Sequence, residues 1–236
     1  MFKLKKLVLA SECDSQTNLS YIGTLQIIED SLTSFMGSMK LDGITLSKKY
    51  GATWVFTKNK IDFRKPVKWG DKIIIKCFFS LISLATVNVT TLILNDKKEI
   101  VCVSTVQMCA LNFKENKVFK LSQIKNLTNK KVISGYELTL DRFDEANYKQ
   151  IDNITVKFSS IDNLHHTNNI EYIRFILNTY SVKELTTKPI KTLQIDYINQ
   201  TYEGNKLDIL KAKNKDFDQF NIKNGDQTAV LCKITY

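Results

Sequence analysis

The chain has only two histidines, and they are neighbours in a polar segment, His165 and His166. Asp162 lies four residues before His166, and an apolar pattern with helical spacing begins at Ile170. A histidine side chain can take up and release protons near neutral pH, because its unperturbed pKa is about 6.5. The first backbone N–H groups of a helix have no partners within the helix and attract negative charge. The segment therefore predicts an acid/base pair at the start of a helix, beside amides that could polarise a carbonyl group.

Two amphipathic helices and two sets of strands would position this segment. Apolar residues recur at helical spacing over residues 19–38 and again over residues 170–180. Runs rich in β-branched and aromatic residues follow each helix and predict antiparallel strands. These strands lie at 52–58, 61–63, 72–84, 86–95, 99–112, 192–197, 206–214, 217–223 and 228–236. Two further strands are predicted, one at the N-terminus and one at 154–158.

The two halves of the chain look like copies of one unit. Asp14 precedes the first helix as Asp162 precedes the second, 148 positions apart, and the apolar positions of the helices align at the same offset. A long helix followed by antiparallel strands, twice over, predicts an α+β chain in which each curved sheet wraps around its helix. The predicted domains are residues 1–118 and 151–236, joined by a polar connector at 119–150.

Lysine and arginine outnumber aspartate and glutamate by 34 to 24, which gives a formal net charge of +10 at pH 7. This excess favours an acidic partner, and the alternative is a lysine-rich surface that meets only solvent. Aromatic residues are not interleaved with a basic stripe, as they are in proteins that bind single-stranded nucleic acid. We therefore expect no nucleic-acid partner.

The five cysteines form no Cys-x-x-Cys pair, and their number is odd. Both observations favour free, mostly buried thiols in a reducing compartment. The apolar run at the N-terminus is too short for a signal peptide, and acidic residues follow it at once. No apolar run reaches membrane-spanning length, so we expect a cytoplasmic protein without membrane insertion.

The histidine segment resembles a motif of the acyl-acyl carrier protein (acyl-ACP) thioesterases of bacteria and plants. That motif is Asp-x-Asn-x-His-Val-Asn-Asn with a tyrosine three residues on, and it is matched by Asp162, His166, Asn168, Asn169 and Tyr172. The resemblance covers nearly the whole chain and implies a tandem double hotdog fold. It also implies that the first domain shapes a tunnel for the acyl chain and that the second domain holds the catalytic residues.

The resemblance implies catalytic roles for four residues. His166 would be the acid/base, and Asp162 would orient it or act directly on water. Asn163 would replace the asparagine of the family motif, whose position is taken here by Leu164. Gln200, on a downstream strand, takes the position of an acidic residue, and it could orient a water molecule but could not accept its proton.

Thioester hydrolysis is the activity that the resemblance implies. The substrate would be a fatty acyl chain on an acidic acyl carrier protein, and the products would be free fatty acid and the carrier protein. Thr201 occupies the position of a cysteine in the plant members, so the nucleophile would be an activated water molecule. Neither a metal nor an organic cofactor is implied, and the protein would be a monomer or a homodimer.

Two alternatives follow from the departures at Leu164 and Gln200. The first is a catalytically weak hotdog protein that binds acyl chains without turnover. The second is a thioesterase that acts on acyl-coenzyme A, or a hotdog dehydratase that acts on another thioester.

Overall fold

The computed structural model describes residues 1–112, 114–115, 117–125 and 127–236. The chain divides into two compact units, Met1–Thr139 and Leu140–Tyr236. Each unit has an antiparallel sheet and one principal helix with a buried apolar side. The predicted α+β class and the repeated order of elements are therefore confirmed.

The principal helix of the first unit is α1, Tyr21–Ser38. It begins after Ser20, whose side-chain oxygen accepts a hydrogen bond from the Gly23 amide at 2.9 Å. Such an acceptor satisfies one of the amides that the first turn leaves without a partner, which fixes where the helix starts. On its buried side, Leu25 and Ile28 are fully enclosed.

The remaining elements of the first unit are helix α2 (Gly43–Tyr50) and strands β1 (Phe2–Leu7), β2 (Ala52–Phe63), β3 (Lys72–Ile82), β4 (Thr86–Leu94), β5 (Ile100–Asn112) and β6 (Lys117–Val118). The sheet has the order β1-β3-β4-β5-β2, with β6 beside β5, and the neighbouring strands are antiparallel. Helix α1 packs against β3 and β4, so the core of this unit lies between the helix and the sheet.

Strand β2 corrects one expectation, because the sequence predicts two strands at 52–58 and 61–63. The polar residues between these ranges look like a break, but Asn59 is buried and accepts a hydrogen bond from the Ser104 hydroxyl at 2.9 Å. A bulge at Thr57 shifts the register against β5 without ending the strand. The side-chain oxygen of Asn59 has its partner inside the sheet, although its Nδ2 has none, and the strand continues through this residue.

Much of the predicted connector belongs to the first unit. Leu121 and Ile124 are buried, and the Ile133 amide donates to the Phe79 carbonyl oxygen at 2.9 Å. Further on, the Leu138 amide donates to a side-chain hydroxyl of β5. The segment up to residue 139 therefore packs on this unit, and its polar composition reflects a strap that is exposed on one side.

The second unit contains helices α3 (Asn169–Leu177) and α4 (Val182–Thr187), and strands β7 (Lys149–Thr155), β8 (Thr192–Tyr197), β9 (Lys206–Lys213), β10 (Phe217–Asn224) and β11 (Gln227–Thr235). Its sheet has the order β8-β11-β10-β9-β7, again antiparallel. The predicted strand at 154–158 is shifted towards the N-terminus, because Phe158–Ser160 forms a 3₁₀ turn.

Helix α3 is shorter than the long helix that the periodicity predicts. It ends at Leu177, and Ser181 begins α4 by accepting the Glu184 amide while the Glu184 carboxylate accepts the Ser181 amide. This reciprocal cap starts a new helix directly after the apolar pattern of 170–180, so the pattern covers α3 and the bend that follows it.

All five cysteines lie in the described part of the chain and are free. Cys77, Cys102 and Cys232 are buried, and Cys13 and Cys109 are partly exposed. Among the described residues, no helix has the length and apolar character needed to cross a membrane.

Candidate active site

Asp162 organises the turn of residues 162–166, which lies between the 3₁₀ turn and α3. Its Oδ1 accepts the Leu164 amide at 2.8 Å and the His166 amide at 3.2 Å. Its own amide donates to the His166 carbonyl oxygen at 2.9 Å. His165, at the corner, has a φ of 63°, a left-handed conformation. The sequence correctly places Asp162 beside His166, but the carboxylate holds the backbone of His166 rather than its ring.

The His166 side chain is half-buried, and its ring meets the edge of the Tyr202 ring at a centroid distance of 5.2 Å. Within the described residues, no hydrogen bond occupies either ring nitrogen. The ring is therefore held in place by packing and can exchange a proton with a bound water molecule or substrate. His165, in contrast, is exposed to solvent.

The other two predicted site residues are exposed. Asn163 lies at the tip of the turn, beside Leu164, whose exposed fraction is 38%. Gln200 was expected on a strand, but β8 ends at Tyr197 and Gln200 lies in the loop that follows. The strand ends there because the Ile198 and Asn199 amides both donate to one carbonyl oxygen of β11, which breaks the ladder.

The start of α3 offers fewer free amides than the sequence suggests. Asn168 caps the helix, because its Oδ1 accepts the Ile170 amide at 2.9 Å and its carbonyl oxygen accepts the Glu171 amide. The Asn168 amide donates to Ser160 and the Thr167 amide donates to Thr201. The amides predicted to polarise a carbonyl group are thus largely engaged in holding the turn.

Three hydroxyl groups beneath the turn were missed as site residues. The Thr201 Oγ1 lies 2.7 Å from both the Thr167 Oγ1 and the Tyr172 hydroxyl, and all three side chains are buried. Burial raises the pKa of the Tyr172 hydroxyl, and the charge of Asp162 adds to this effect. Tyr172 therefore stays protonated at neutral pH and can donate a hydrogen bond. The motif contains Tyr172, but no local pattern links it to Thr201.

The first unit contains the same turn without the histidines. Asp14 Oδ1 accepts the Gln16 and Asn18 amides at 2.9 Å each, and the Asp14 amide donates to the Asn18 carbonyl oxygen at 2.7 Å. Thr17, in the position of His165, has a φ of 62°. These bonds repeat those of Asp162 at the predicted offset of 148 positions, so the repeat is confirmed in atomic detail. With Asn18 in place of His166, the turn of the first unit has no acid/base side chain.

The positive charge is distributed very unevenly between the units. Residues 1–139 hold 21 of the 34 lysines and arginines and 11 of the 24 acidic residues, whereas residues 140–236 hold 13 of each. The formal charge of +10 therefore belongs to the first unit, and the unit with the histidines is neutral. Part of the excess surrounds Tyr50, whose hydroxyl accepts the Lys125 amide and whose ring meets that of Phe119. The exposed lysines next to these contacts form what we call the lysine cluster: Lys48, Lys49, Lys120 and Lys125.

Two solved proteins share the fold of this chain over nearly its whole length. An acyl-ACP thioesterase from Bacteroides thetaiotaomicron superposes with a TM-score of 0.92 at 14% identity, over 99% of this chain and 96% of that chain. A 12:0-ACP thioesterase from Umbellularia californica superposes with a TM-score of 0.87 at 12% identity, over 99% and 96% of the two chains. The predicted double hotdog fold is thereby confirmed.

A comparison of the sequence with protein families adds a match to the likeness in fold. Residues 141–235 match the family model described as the acyl-ACP thioesterase C-terminal domain. No curated protein matches the chain. The relation to the acyl-ACP thioesterases that the histidine segment indicates is confirmed, and the matched residues contain that whole segment.

Proposed function

We propose that this protein hydrolyses fatty acyl thioesters of acyl carrier protein to free fatty acid and carrier protein. The observation that carries the proposal is the position of His166: it lies within the matched thioesterase domain, on a turn that fixes its backbone and leaves its ring nitrogens available. The reaction would take place in the cytoplasm, where the five thiols stay reduced. The first unit would shape the acyl tunnel.

His166 would act first as a general base. It would take a proton from a water molecule as the water oxygen attacks the thioester carbonyl carbon. When the tetrahedral intermediate collapses, the C–S bond breaks and the proton passes from the imidazole to the leaving sulfur. Asp162 would keep the turn in shape and add negative charge nearby, which stabilises the imidazolium form.

Gln200 and Asn163 would contact the water molecule or the substrate from the exposed side of the turn. Both are amides, so they can donate and accept hydrogen bonds but cannot carry a proton. All proton transfer would therefore fall on His166, which predicts slow turnover relative to a site with a second carboxylate.

The acidic carrier protein would approach the first unit. Long-range attraction between its negative charge and the excess positive charge of that unit would raise the rate of encounter. Coenzyme A carries its own phosphates, but it presents a much smaller charged surface. This difference would favour carrier-bound substrates.

The test is steady-state hydrolysis of acyl-ACP thioesters of several chain lengths by the wild type, His166→Ala and His165→Ala. Loss of a general acid/base should lower kcat by about 10²-fold or more in His166→Ala. His165→Ala is the matched control and should stay within a few-fold of the wild type. A wild type that binds acyl-ACP without turnover at any chain length would contradict the proposal and favour acyl binding. Turnover confined to acyl-coenzyme A would instead exclude the carrier protein as substrate donor.

A further inference from the structure

The three buried hydroxyls beneath the histidine turn form one directed chain. The Thr167 Oγ1 lies 3.1 Å from the Thr201 carbonyl oxygen, and a carbonyl oxygen can only accept, so Thr167 donates to it. Thr201 then donates to Thr167, and Tyr172 donates to Thr201. Every hydroxyl proton has an acceptor, although all three groups are closed off from solvent.

This hydroxyl chain joins the three segments that hold the candidate site. Thr167 directly follows the turn, Tyr172 lies in α3, and Thr201 directly follows Gln200. Gln200 is exposed, and within the described residues its side chain has no hydrogen-bond partner. The position of Gln200 relative to His166 therefore depends on how firmly Thr201 is held.

The first unit shows what the fold itself requires at these positions. Leu19 replaces Thr167 at the offset of 148, and its amide donates to the Val67 carbonyl oxygen at 2.7 Å, as Thr167 donates to Thr201 at 2.8 Å. Thr24 replaces Tyr172, and its hydroxyl donates within its own helix, to the carbonyl oxygen of the N-cap residue. The same turn, helix start and backbone bond thus form with two apolar side chains and no hydroxyl link between segments.

We propose that the hydroxyl chain of Thr167, Thr201 and Tyr172 positions Gln200 against the histidine turn for catalysis and is dispensable for folding. This inference rests on the proposed thioesterase function. Buried hydrogen-bonded networks hold their members in one arrangement more strictly than apolar packing does. The unit with the histidines has such a network, and the unit without them has leucine and valine in its place.

The decisive variant removes all three hydroxyls together: Thr167→Val, Thr201→Val and Tyr172→Phe. Removing only one would leave buried partners unsatisfied and lower stability for that reason alone. We expect the triple variant to unfold at nearly the wild-type temperature and to keep KM within about twofold, while kcat falls about 10–100-fold through loss of alignment. Thr201→Ser retains the hydroxyl and should keep most of the wild-type kcat.

A triple variant with wild-type kcat would overturn the inference. The inference would also be overturned if the triple variant lost thermal stability together with kcat and Thr201→Ser lost as much kcat as the triple variant. That result would indicate a structural role only. Amide hydrogen exchange gives a readout that does not depend on turnover. Exchange at residues 198–202 should speed up in the triple variant, while exchange at residues 64–68 of the first unit should not change.

The two readouts separate the failure of this inference from the failure of the proposed function. A wild type without thioesterase activity, combined with faster exchange at residues 198–202 in the triple variant, would refute the reaction and keep the positioning role. Unchanged exchange would refute the positioning role whatever the activity.

Discussion

At the scale of single residues, Asp162 has a structural task that can be separated from its charge. Its Oδ1 accepts two backbone amides, and an asparagine at this position offers an equivalent oxygen. We expect Asp162→Asn to change the free energy of unfolding by less than about 0.5 kcal/mol. Asp162→Ala should lower it by about 1–2 kcal/mol, as the loss of a capping acceptor does. Denaturant unfolding measures both values.

Hydrolysis by the same variants then reports on the charge alone. If the carboxylate stabilises the imidazolium of His166, Asp162→Asn should lose kcat by about tenfold or more with its stability intact. Asp14→Ala is the matched control, because it removes the oxygen that accepts the two equivalent amides in a turn without histidine. It should be destabilised like Asp162→Ala and should keep the wild-type kcat. An Asp162→Asn protein as unstable as Asp162→Ala would contradict the geometry of the turn.

Residue-scale prediction from the sequence succeeds where the interaction is local. Asp162 and His166 are four positions apart in one turn, so their types and spacing reveal that they lie together. Thr201 and Thr167 are 34 positions apart, and only the path of the chain brings their hydroxyls to 2.7 Å. The resemblance puts Gln200 on a strand, whereas the sequence pattern ends that strand at Tyr197, and the structure agrees with the pattern.

At the scale of elements, a polar cluster around the buried Asp218 fixes the bend between α3 and α4. Tyr180, in that bend, donates to Asp218 at 2.9 Å, and Tyr236 donates to the same carboxylate at 2.7 Å. Lys211 forms an ion pair with Asp218 at 2.8 Å. The cluster ties the end of the principal helix to strands β9 and β10.

This cluster predicts a loss of stability in acid. Burial would raise the pKa of the Asp218 carboxyl, but the hydrogen bonds from Lys211, Tyr236 and Tyr180 outweigh it and hold the pKa below its ordinary value. A folded-state pKa below the unfolded value of about 3.9 stabilises the protein above that pH, and this stability is lost as the pH falls through the folded pKa. The urea concentration at the midpoint of unfolding should therefore decrease as the pH is lowered below about 4.

Asp218→Asn isolates that contribution. Near neutral pH the variant should be less stable by roughly 1–3 kcal/mol, because the half-buried Lys211 loses its charged hydrogen-bond partner. Its urea midpoint should also vary less with pH than that of the wild type in acid. A variant with the same acid dependence as the wild type would show that other carboxylates control it.

Element-scale prediction succeeds for long, strongly periodic segments. Helix α1 has nearly the predicted bounds, since it buries one clear apolar face, and strand β8 has the predicted bounds. Helices α2 and α4 were missed because they span only 8 and 6 residues, too few to show a helical period. The connector was predicted as polar chain because its few buried residues, such as Leu121 and Ile124, are separated by exposed ones.

At the scale of the whole molecule, the excess positive charge lies in the first unit and the candidate catalytic histidine lies in the second. This separation predicts how substrates are selected. Reversing two charges of the lysine cluster, by Lys48→Glu and Lys49→Glu, should raise KM for acyl-ACP about tenfold and leave kcat unchanged. The effect should shrink as the ionic strength rises, because salt screens attraction over distances beyond about 10 Å. Steady-state kinetics at low and high salt measure both.

The matched control makes the same change in the neutral unit, by Lys213→Glu and Lys215→Glu, both exposed. If the first unit guides the carrier protein, this pair should have little effect on KM. Equal effects of the two pairs would show that net charge, rather than a docking surface, governs the encounter.

The buried cysteines make unfolding of each unit chemically detectable. The reactive form of a thiol is the thiolate, and burial raises the pKa of Cys77 in the first unit to about 11 and that of Cys232 in the second unit still higher. At neutral pH an alkylating reagent should therefore modify these side chains only in molecules whose unit has opened. Mass spectrometry of the peptides that contain Cys77 and Cys232 would time the two openings separately. A shared rate would mean that the duplicated units unfold as one cooperative structure, and different rates would rank their stabilities within a single chain.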